Sequence, residues 1–263
     1  MTGWERSRAA ASVFDWRETS GSTNADLLAA AADLPHLAVI ATDTQTAGRG
    51  RLDRVWTAPP GSSLALSVLL RPRLPSGAAL PTAHWGWISL MAGLAMRETI
   101  ADVAPGITPD VKWPNDLLVD GRKLCGILAE VAADSSIVVG IGVNTAMTAE
   151  QLPVETATSL AVEGAAVDDD LVDRLLAGFL MRLSARLRDL LEAGGDADAS
   201  GLRSSVEAAC VTLGRDVRVE LPGAAPLRGV ATGIDERGRI LVAQAGGRVA
   251  AVSAGDVVHL RYE

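Results

Sequence analysis

The chain reads as an α+β protein: a mixed, mainly antiparallel sheet with helices on one face, followed by a small β-barrel. Three observations lead there. Between residues 111 and 144, strand-like runs follow one another through tight turns, above all the two-residue hairpin signal Asp120-Gly121. Two long stretches, 81–100 and 168–193, carry apolar residues at helical spacing. From Val211 onward the pattern changes to short alternating runs separated by glycine-containing turns.

Residues 13–18 read as a short strand. Ser22-Thr23-Asn24 then offers capping oxygens for a helix that runs to about Ala32. A strand over 37–42 and an alternating strand over 63–70 enclose the most unusual stretch of the chain. It runs from Gln45 to Trp56 and packs Arg49, Arg51 and Arg54 together with Gly48 and Gly50. Glycines let a backbone approach a ligand closely, and guanidinium groups bind phosphate or carboxylate in a forked geometry. Taken alone, the stretch fits a solvated surface loop as well as an anion clamp that orders around its ligand.

Pro81 to Ile100 forms a long apolar helix with Leu90, Met91 and Leu94 at core spacing, and Trp85 and Trp87 read as packing residues. Val111-Lys112-Trp113 leads into Pro114-Asn115-Asp116, and Leu117-Leu118-Val119 resumes as a strand. After the Asp120-Gly121 turn, 123–130 returns antiparallel and 137–144 makes the next strand. The helix over 168–193 is amphipathic, with Leu171, Leu175, Leu176, Phe179, Leu180, Leu183 and Leu187 on one side. A Gly194-Gly195-Asp196 break precedes another helical stretch. In the tail, strands over 217–220, 229–231, 240–242 and 257–260 alternate with turns at Pro222-Gly223, Glu236-Arg237-Gly238 and Ala254-Gly255-Asp256. The boundary falls near residue 210, which gives a unit over 1–210 and a smaller one over 211–263.

Composition narrows the function classes. At 263 residues and 48% hydrophobic, with two Phe and one Tyr, the chain has an aliphatic core and folds as a globule. A net charge of −8 argues against a general nucleic-acid binder, so the basic loop is a local exception on an acidic surface. No apolar run is long enough to span a membrane, and residues 1–12 lack a hydrophobic signal core, so a cytoplasmic location is expected. Cys125 and Cys210 are too few for a disulfide framework or a zinc site, and Cys125 reads as a small buried thiol.

Four polar features lie on or beside strands: Ser22-Thr23-Asn24, the basic loop, the 112–116 run, and Lys123 with Gly126. Lys112 and Lys123 flank a hairpin, so strand register brings both ammonium groups toward one end of the sheet. With Arg49, Arg51 and Arg54 they make a strongly cationic pocket. Such a pocket suits a polyphosphate and a carboxylate that must approach each other, as in acyl-adenylate formation. Each feature also has a plain structural reading: a helix cap at Ser22 or Thr23, a turn at Asn115-Asp116, a solvated charge at Lys112, and close strand packing at Gly140 and Gly142.

In this order and spacing, Gly48-Arg49-Gly50-Arg51 with Trp56, the 112–116 run, 123–128 and Gly140-Ile141-Gly142-Val143-Asn144 resemble the biotin–protein ligase family over residues 20–145. The resemblance implies the ligase fold related to class II aminoacyl-tRNA synthetases, with an SH3-like C-terminal domain. It implies attachment of biotin to a lysine of a biotin carboxyl carrier protein, with biotin, ATP and Mg²⁺ as reactants, through biotinyl-5′-AMP. Carried over by motif, Lys123, Arg51, Lys112 and Asp116 take part in the chemistry. Ser22, Thr23, Asn24, Gln45, Gly48, Arg49, Arg51, Trp56, Lys123, Gly126, Gly140 and Gly142 surround biotin. Arg49, Arg51, Arg54, Trp56, Lys112, Asn115 and Asn144 surround the nucleotide, and no metal ligand is assigned.

The resemblance further implies a monomer or a ligand-dependent homodimer, and the charge balance and hydropathy lead us to expect no nucleic-acid or membrane partner. About a dozen residues precede the catalytic pattern where many relatives carry a winged helix-turn-helix, so no operator binding is expected. Leu52-Asp53 stands where relatives often carry Gly or Arg, which points to different loop dynamics; Cys125 stands where they often carry Ala. Two rivals remain at this stage: a lipoate–protein ligase or octanoyl transferase of the same catalytic fold, and a non-enzymatic biotin or nucleotide sensor.

Overall fold

In the computed structural model, residues 3–51, 54–221, 223–253 and 255–259 are described. The chain opens with a helix absent from the sequence reading, α1 (Glu5–Ala10), followed by β1 (Val13–Trp16), α2 (Thr23–Ala30) and β2 (Ala38–Thr42). Ser22 is the N-cap of α2, its extended backbone letting the hydroxyl accept from the Ala25 N–H. The basic stretch is a narrow ribbon rather than an open loop: β3 (Gly48–Arg49) pairs antiparallel with β4 (Val55–Trp56). Leu52 and Asp53 lie outside the described residues, as do Pro222, Ala254 and Leu260 from the expected tail turns and strand.

After β5 (Ser63–Leu70) comes α3 (Gly86–Val103), whose start is delayed from Pro81 by a single tighter turn over Thr82–His84. Next are β6 (Asp110–Lys112), β7 (Asp116–Val119), β8 (Arg122–Val131), β9 (Ile137–Asn144), α4 (Leu171–Glu192) and α5 (Leu202–Ala209). These strands form a seven-stranded sheet in the order β1-β2-β5-β9-β8-β7-β6. β1 runs parallel to β2 and every other pair is antiparallel. The β7–β8 turn has positive φ at both Asp120 (49°) and Gly121 (76°), the conformation its two-residue length demands.

Alternation divides the sheet into two faces. Leu66, Val68, Ile127, Val139 and Ile141 belong to the main core with Trp87, Met91 and Leu94 of α3 and Leu175, Phe179 and Leu183 of α4. Full burial of a side chain such as Phe179 contributes roughly 1.5–3 kcal/mol. On the opposite face Ile40, Leu69 and Val138 pack against Leu27 of α2 and Ala31 just after it. The expectation of helices on one face therefore holds for α3 and α4 but not for α2, which covers one end of the other face and leaves the rest for a cavity. The helix α1 is fastened to α4 by buried Asp173, whose Oδ1 accepts from the Ser7 N–H (3.0 Å) and hydroxyl (2.5 Å).

The tail forms β10 (Asp216–Glu220), β11 (Leu227–Ile234), β12 (Ile240–Ala243), β13 (Val249–Val252) and β14 (Asp256–His259) in the antiparallel order β13-β12-β11-β10-β14. The expected barrel is an open sheet among the described residues, with β13 and β14 as its edges. Strands of four residues offer little of the stagger that closure requires. The apolar face is covered instead by the rest of the molecule: Val217, Val219, Ala231, Ile240 and Val242 join the same core as the first sheet. Two indoles fasten the seam. Trp87 Nε1 donates to the Glu236 carbonyl and Trp113 Nε1 to the Gly238 carbonyl, each at 3.0 Å.

Among the described residues no helix is long and apolar enough to cross a membrane. Both thiols are buried and unbridged, and burial raises the pKa of each, so Cys125 and Cys210 stay protonated packing groups.

Candidate active site

The cavity opens on the α2 face of the first sheet, and register explains its shape. Ala65, Gly142, Gly126 and Asp116 form one row across β5, β9, β8 and β7; Ser67, Gly140 and Leu128 form the next. These mostly small residues leave a trough in a sheet that is otherwise densely covered. Its ends are closed by the N-terminus of α2 and by the β3–β4 ribbon, which brings Arg49, Arg51 and Arg54 to the lining.

Two side chains occupy the trough. A Cβ on Gly140 would lie 2.1 Å from Asn24 Oδ1, and one on Gly142 would lie 3.0 Å from Trp56 Cε2. The glycines thus make room for the protein's own side chains, where the sequence reading had the backbone passing directly beneath a ligand. Gly126 serves Lys123 in the same way, with Nζ 3.2 Å from its would-be Cβ.

The floor is a hydrogen-bonded chain of buried polar groups. Gln45 Oε1 accepts from the Thr23 N–H (2.9 Å) and faces the Thr23 hydroxyl at 3.2 Å. Ser67 Oγ lies 2.8 Å from Thr23 Oγ1 and donates to Asn24 Oδ1 at 2.6 Å. Asn24 Nδ2 donates to the Leu128 carbonyl (3.1 Å) and to Glu130 Oε2 (2.7 Å). Ser67, Thr23 and Asn24 are 0%, 3% and 4% exposed, so a partner lost here leaves an unsatisfied buried group, at a cost of about 1–3 kcal/mol.

The charged wall is looser. Lys123 Nζ sits 2.7 Å from Asp116 Oδ1, with its side chain 45% exposed. Arg51 donates to Asn115 Oδ1 (2.8 Å) and, across the seam, to the Gly255 carbonyl before β14 (3.2 Å). Arg49 pairs with Glu130 at 3.1 Å. Asn115 Nδ2 in turn donates to the Ile127 carbonyl at 3.0 Å, which fixes the amide beneath Arg51. Asp116 is the one carboxylate among the described residues lining the cavity, against Arg49, Arg51, Arg54 and Lys123.

Not every expected residue reaches this point. Register pairs Lys112 with Asp116, yet Lys112 is not among the residues lining the cavity. It lies at the end of an edge strand toward the second sheet, where burial first, then the Lys112 and Arg215 charges, hold His259 down at about 4. The expected meeting of Lys112 with Lys123 is therefore not found at the cavity. Asn144 is buried with Nδ2 donating to the Thr158 carbonyl (2.8 Å) and lines an adjoining recess with Trp56, Lys123 and Val154. Gly48 is not among the residues lining the cavity; it is buried behind them, where a Cβ would lie 2.5 Å from Gln45 Nε2 and 2.4 Å from the Trp56 carbonyl. Ser67, Glu130 and Gly255 were missed by sequence reasoning; only Ser67 left a signal, as the polar break in an apolar strand.

No group of three or more His, Cys, Asp or Glu able to hold a metal occurs among the described residues. The donor set suits Mg²⁺ only as an ion arriving on phosphates, with Asp116 and Asn115 as nearby oxygen groups.

Comparison with known proteins gives concordant findings. The profile of the biotin/lipoate A/B protein ligase family matches residues 16–144, and that of the biotin protein ligase C-terminal domain matches 212–260. A biotin–[acetyl-CoA-carboxylase] ligase of Mycobacterium tuberculosis is 41% identical over 256 residues, covering 94% of this chain and 90% of that protein. A ligase of the same description from Paracoccus denitrificans is 33% identical, covering 86% of this chain and 92% of that one. The fold is shared with a biotin protein ligase from Aquifex aeolicus solved with biotin and ATP, at a TM-score of 0.76 and 24% identity, covering 95% of this chain and all of that one.

Proposed function

The chain belongs to the biotin/lipoate A/B protein ligase family, and from that premise we propose how its residues divide the work. The protein attaches biotin, driven by ATP, to a biotin-carrying acceptor protein. The observation that carries the reading is the convergence of three arginines and Lys123 on one cavity of a chain whose net charge is −8.

In the first step the biotin carboxylate attacks the α-phosphate of ATP, pyrophosphate leaves, and biotinyl-5′-AMP forms. Both reactants are anions, and two like charges 4 Å apart repel by about 4 kcal/mol at the effective dielectric near a protein surface. Lys123 lies where it can exchange Asp116 for the oxygens that gain charge, and its compact ammonium donates in several directions. Arg49 and Arg51 cover the carboxylate and the α-phosphate, and Arg54 extends the same wall. Mg²⁺, when bound with the nucleotide, neutralises phosphate charge.

Thr23, Gln45, Ser22 and Asn24 form a polar end for the ureido ring, with the trough taking the apolar remainder. Trp56 and Asn144 line the recess assigned to the nucleotide. In the second step the acceptor's lysine attacks the acyl carbon and AMP leaves. Asp116, freed as Lys123 moves to the ligand, takes the lysine's proton. Lys112 contributes at longer range, as a charge beside Asp116 in register.

The acceptor is a carboxyl carrier protein of a biotin-dependent carboxylase, residues 1–210 form the ligase unit and 211–263 its SH3-like appendage. A cytoplasmic location and a monomer or ligand-dependent homodimer complete the reading. Pyrophosphate release from ATP, followed with biotin, lipoate and octanoate in turn, tests it. Release with biotin is expected; release with lipoate or octanoate alone overturns the substrate, and biotin binding without release overturns the enzyme.

A further inference from the structure

The chemistry above leaves one charged group beside the cavity without a task. Glu130 ends the β8 face that carries Gly126 and Leu128, and its side chain is 26% exposed. A carboxylate at the edge of a site for a carboxylate and a triphosphate opposes both by simple repulsion. Its contacts show what it does there. Glu130 Oε2 accepts from Asn24 Nδ2 at 2.7 Å and from Arg49 Nη2 at 3.1 Å. Asn24 is buried in the floor, where Ser67 and the Leu128 carbonyl hold it. Arg49 is the second residue of the ribbon. One carboxylate oxygen therefore links the immobile floor to the first guanidinium of the ribbon.

Resting on the function proposed above, we propose that Glu130 is a positioning residue that holds Arg49 at the cavity and thereby sets the register of the β3–β4 ribbon before ligand arrives. A single oxygen engages one nitrogen of the guanidinium, which leaves other donors of the fork for the ligand's anionic group. Anchoring the ribbon in advance reduces the freedom lost on binding.

A double-mutant cycle tests this with Glu130→Gln and Arg49→Gln. Glutamine keeps an oxygen for Asn24 but removes the charge facing Arg49. Two readouts apply: tryptic cleavage after Arg51 and Arg54 in the ligand-free protein, and the biotin KM and kcat for pyrophosphate release. Glu130→Gln is expected to speed cleavage and raise KM by about three- to five-fold, with kcat within about two-fold. In the Arg49→Gln background it should add nothing. A silent Glu130→Gln overturns the proposal because the charge facing Arg49 would then hold nothing, and an effect of full size in the Arg49→Gln background overturns it because Glu130 would then act independently of Arg49. Failure of the functional reading looks different: the parent protein would release no pyrophosphate with biotin, while the proteolysis cycle would still report the tie.

Discussion

The two sides of the cavity are built on opposite principles. On the floor, Thr23, Asn24, Gln45 and Ser67 satisfy one another in a hydrogen-bonded chain, three of them nearly inaccessible. On the ribbon, Arg49 meets Glu130 of β8 at 3.1 Å with its side chain 44% exposed, and Arg51 reaches Asn115 Oδ1 at 2.8 Å and the Gly255 carbonyl at 3.2 Å. A buried network has one arrangement and recognises a neutral, fixed shape. Half-exposed ion pairs contribute little each and exchange partners easily. In the reaction proposed above, this division gives one wall the task of identifying the acid and the other that of adapting as charge moves from carboxylate to phosphate.

The largest test addresses the residue between the two sides. Lys123→Ala should slow adenylate formation by about 10²–10³-fold, the scale of losing one preorganised electrostatic donor, with an unchanged melting temperature because the side chain is half exposed. Pyrophosphate release measures it, and a first step of normal rate removes Lys123 from the chemistry. Next comes the floor. Gly140→Ala should weaken biotin binding by about ten-fold or more, since a Cβ 2.1 Å from Asn24 Oδ1 forces the floor apart at a cost of about 1–3 kcal/mol. Titration calorimetry with biotin measures this, and unaltered affinity would break the claim that the floor has one arrangement.

Smaller effects belong to the ribbon. Arg51→Ala removes the ties to Asn115 and Gly255 and should let bound adenylate escape about five- to ten-fold faster, seen as labelling of bystander lysines. Retention equal to the parent's would show that the ribbon does not hold the intermediate. The smallest effect is on pH. His259 on β14 is neutral down to about 4 when folded, against 6.5 for an ordinary histidine. The unfolded chain therefore takes up the proton first, so this contribution to stability is present above pH 6.5 and is lost as pH falls toward 4. Melting temperatures of the parent and His259→Gln should converge over that window; curves that stay parallel would exclude His259 as the cause. Since Gly255 precedes this strand, acid should loosen the ribbon before the floor.

Much of this was legible in the residues, and the gaps have physical causes. Alternation at 63–70, the strand-like run at 137–144 and the Asp120-Gly121 turn placed four strands closely. The short helix α1 escaped because its anchor, Asp173, is 166 residues away from Ser7 and helical spacing over six residues says little. The β13 strand escaped because Val249-Ala250-Ala251-Val252 hardly alternates. At the site, the motifs pointed to Lys123, Arg51 and Asn24, which line the cavity, but not to what stands on each glycine. That Gly140 accommodates Asn24 and Gly142 accommodates Trp56 depends on register between distant strands, which no local pattern encodes. Lys112 was misplaced for a related reason: position on a hairpin fixes which residue lies opposite, not how far an edge-strand side chain leans toward another sheet.

The indole bonds of Trp87 and Trp113 to the 235–238 turn bear on modularity. In sequence the chain is tiled by two separate family profiles, as though the tail were an accessory that could be exchanged or trimmed. In space the tail supplies the acceptors for two buried indoles, and the backbone at Arg237 approaches so closely that a Cβ on Gly86 would meet its carbonyl at 2.3 Å. Trimming it would strand those donors and uncover the N-terminal end of α3. The tail thus also serves as an outer wall for the core it shares with the first sheet.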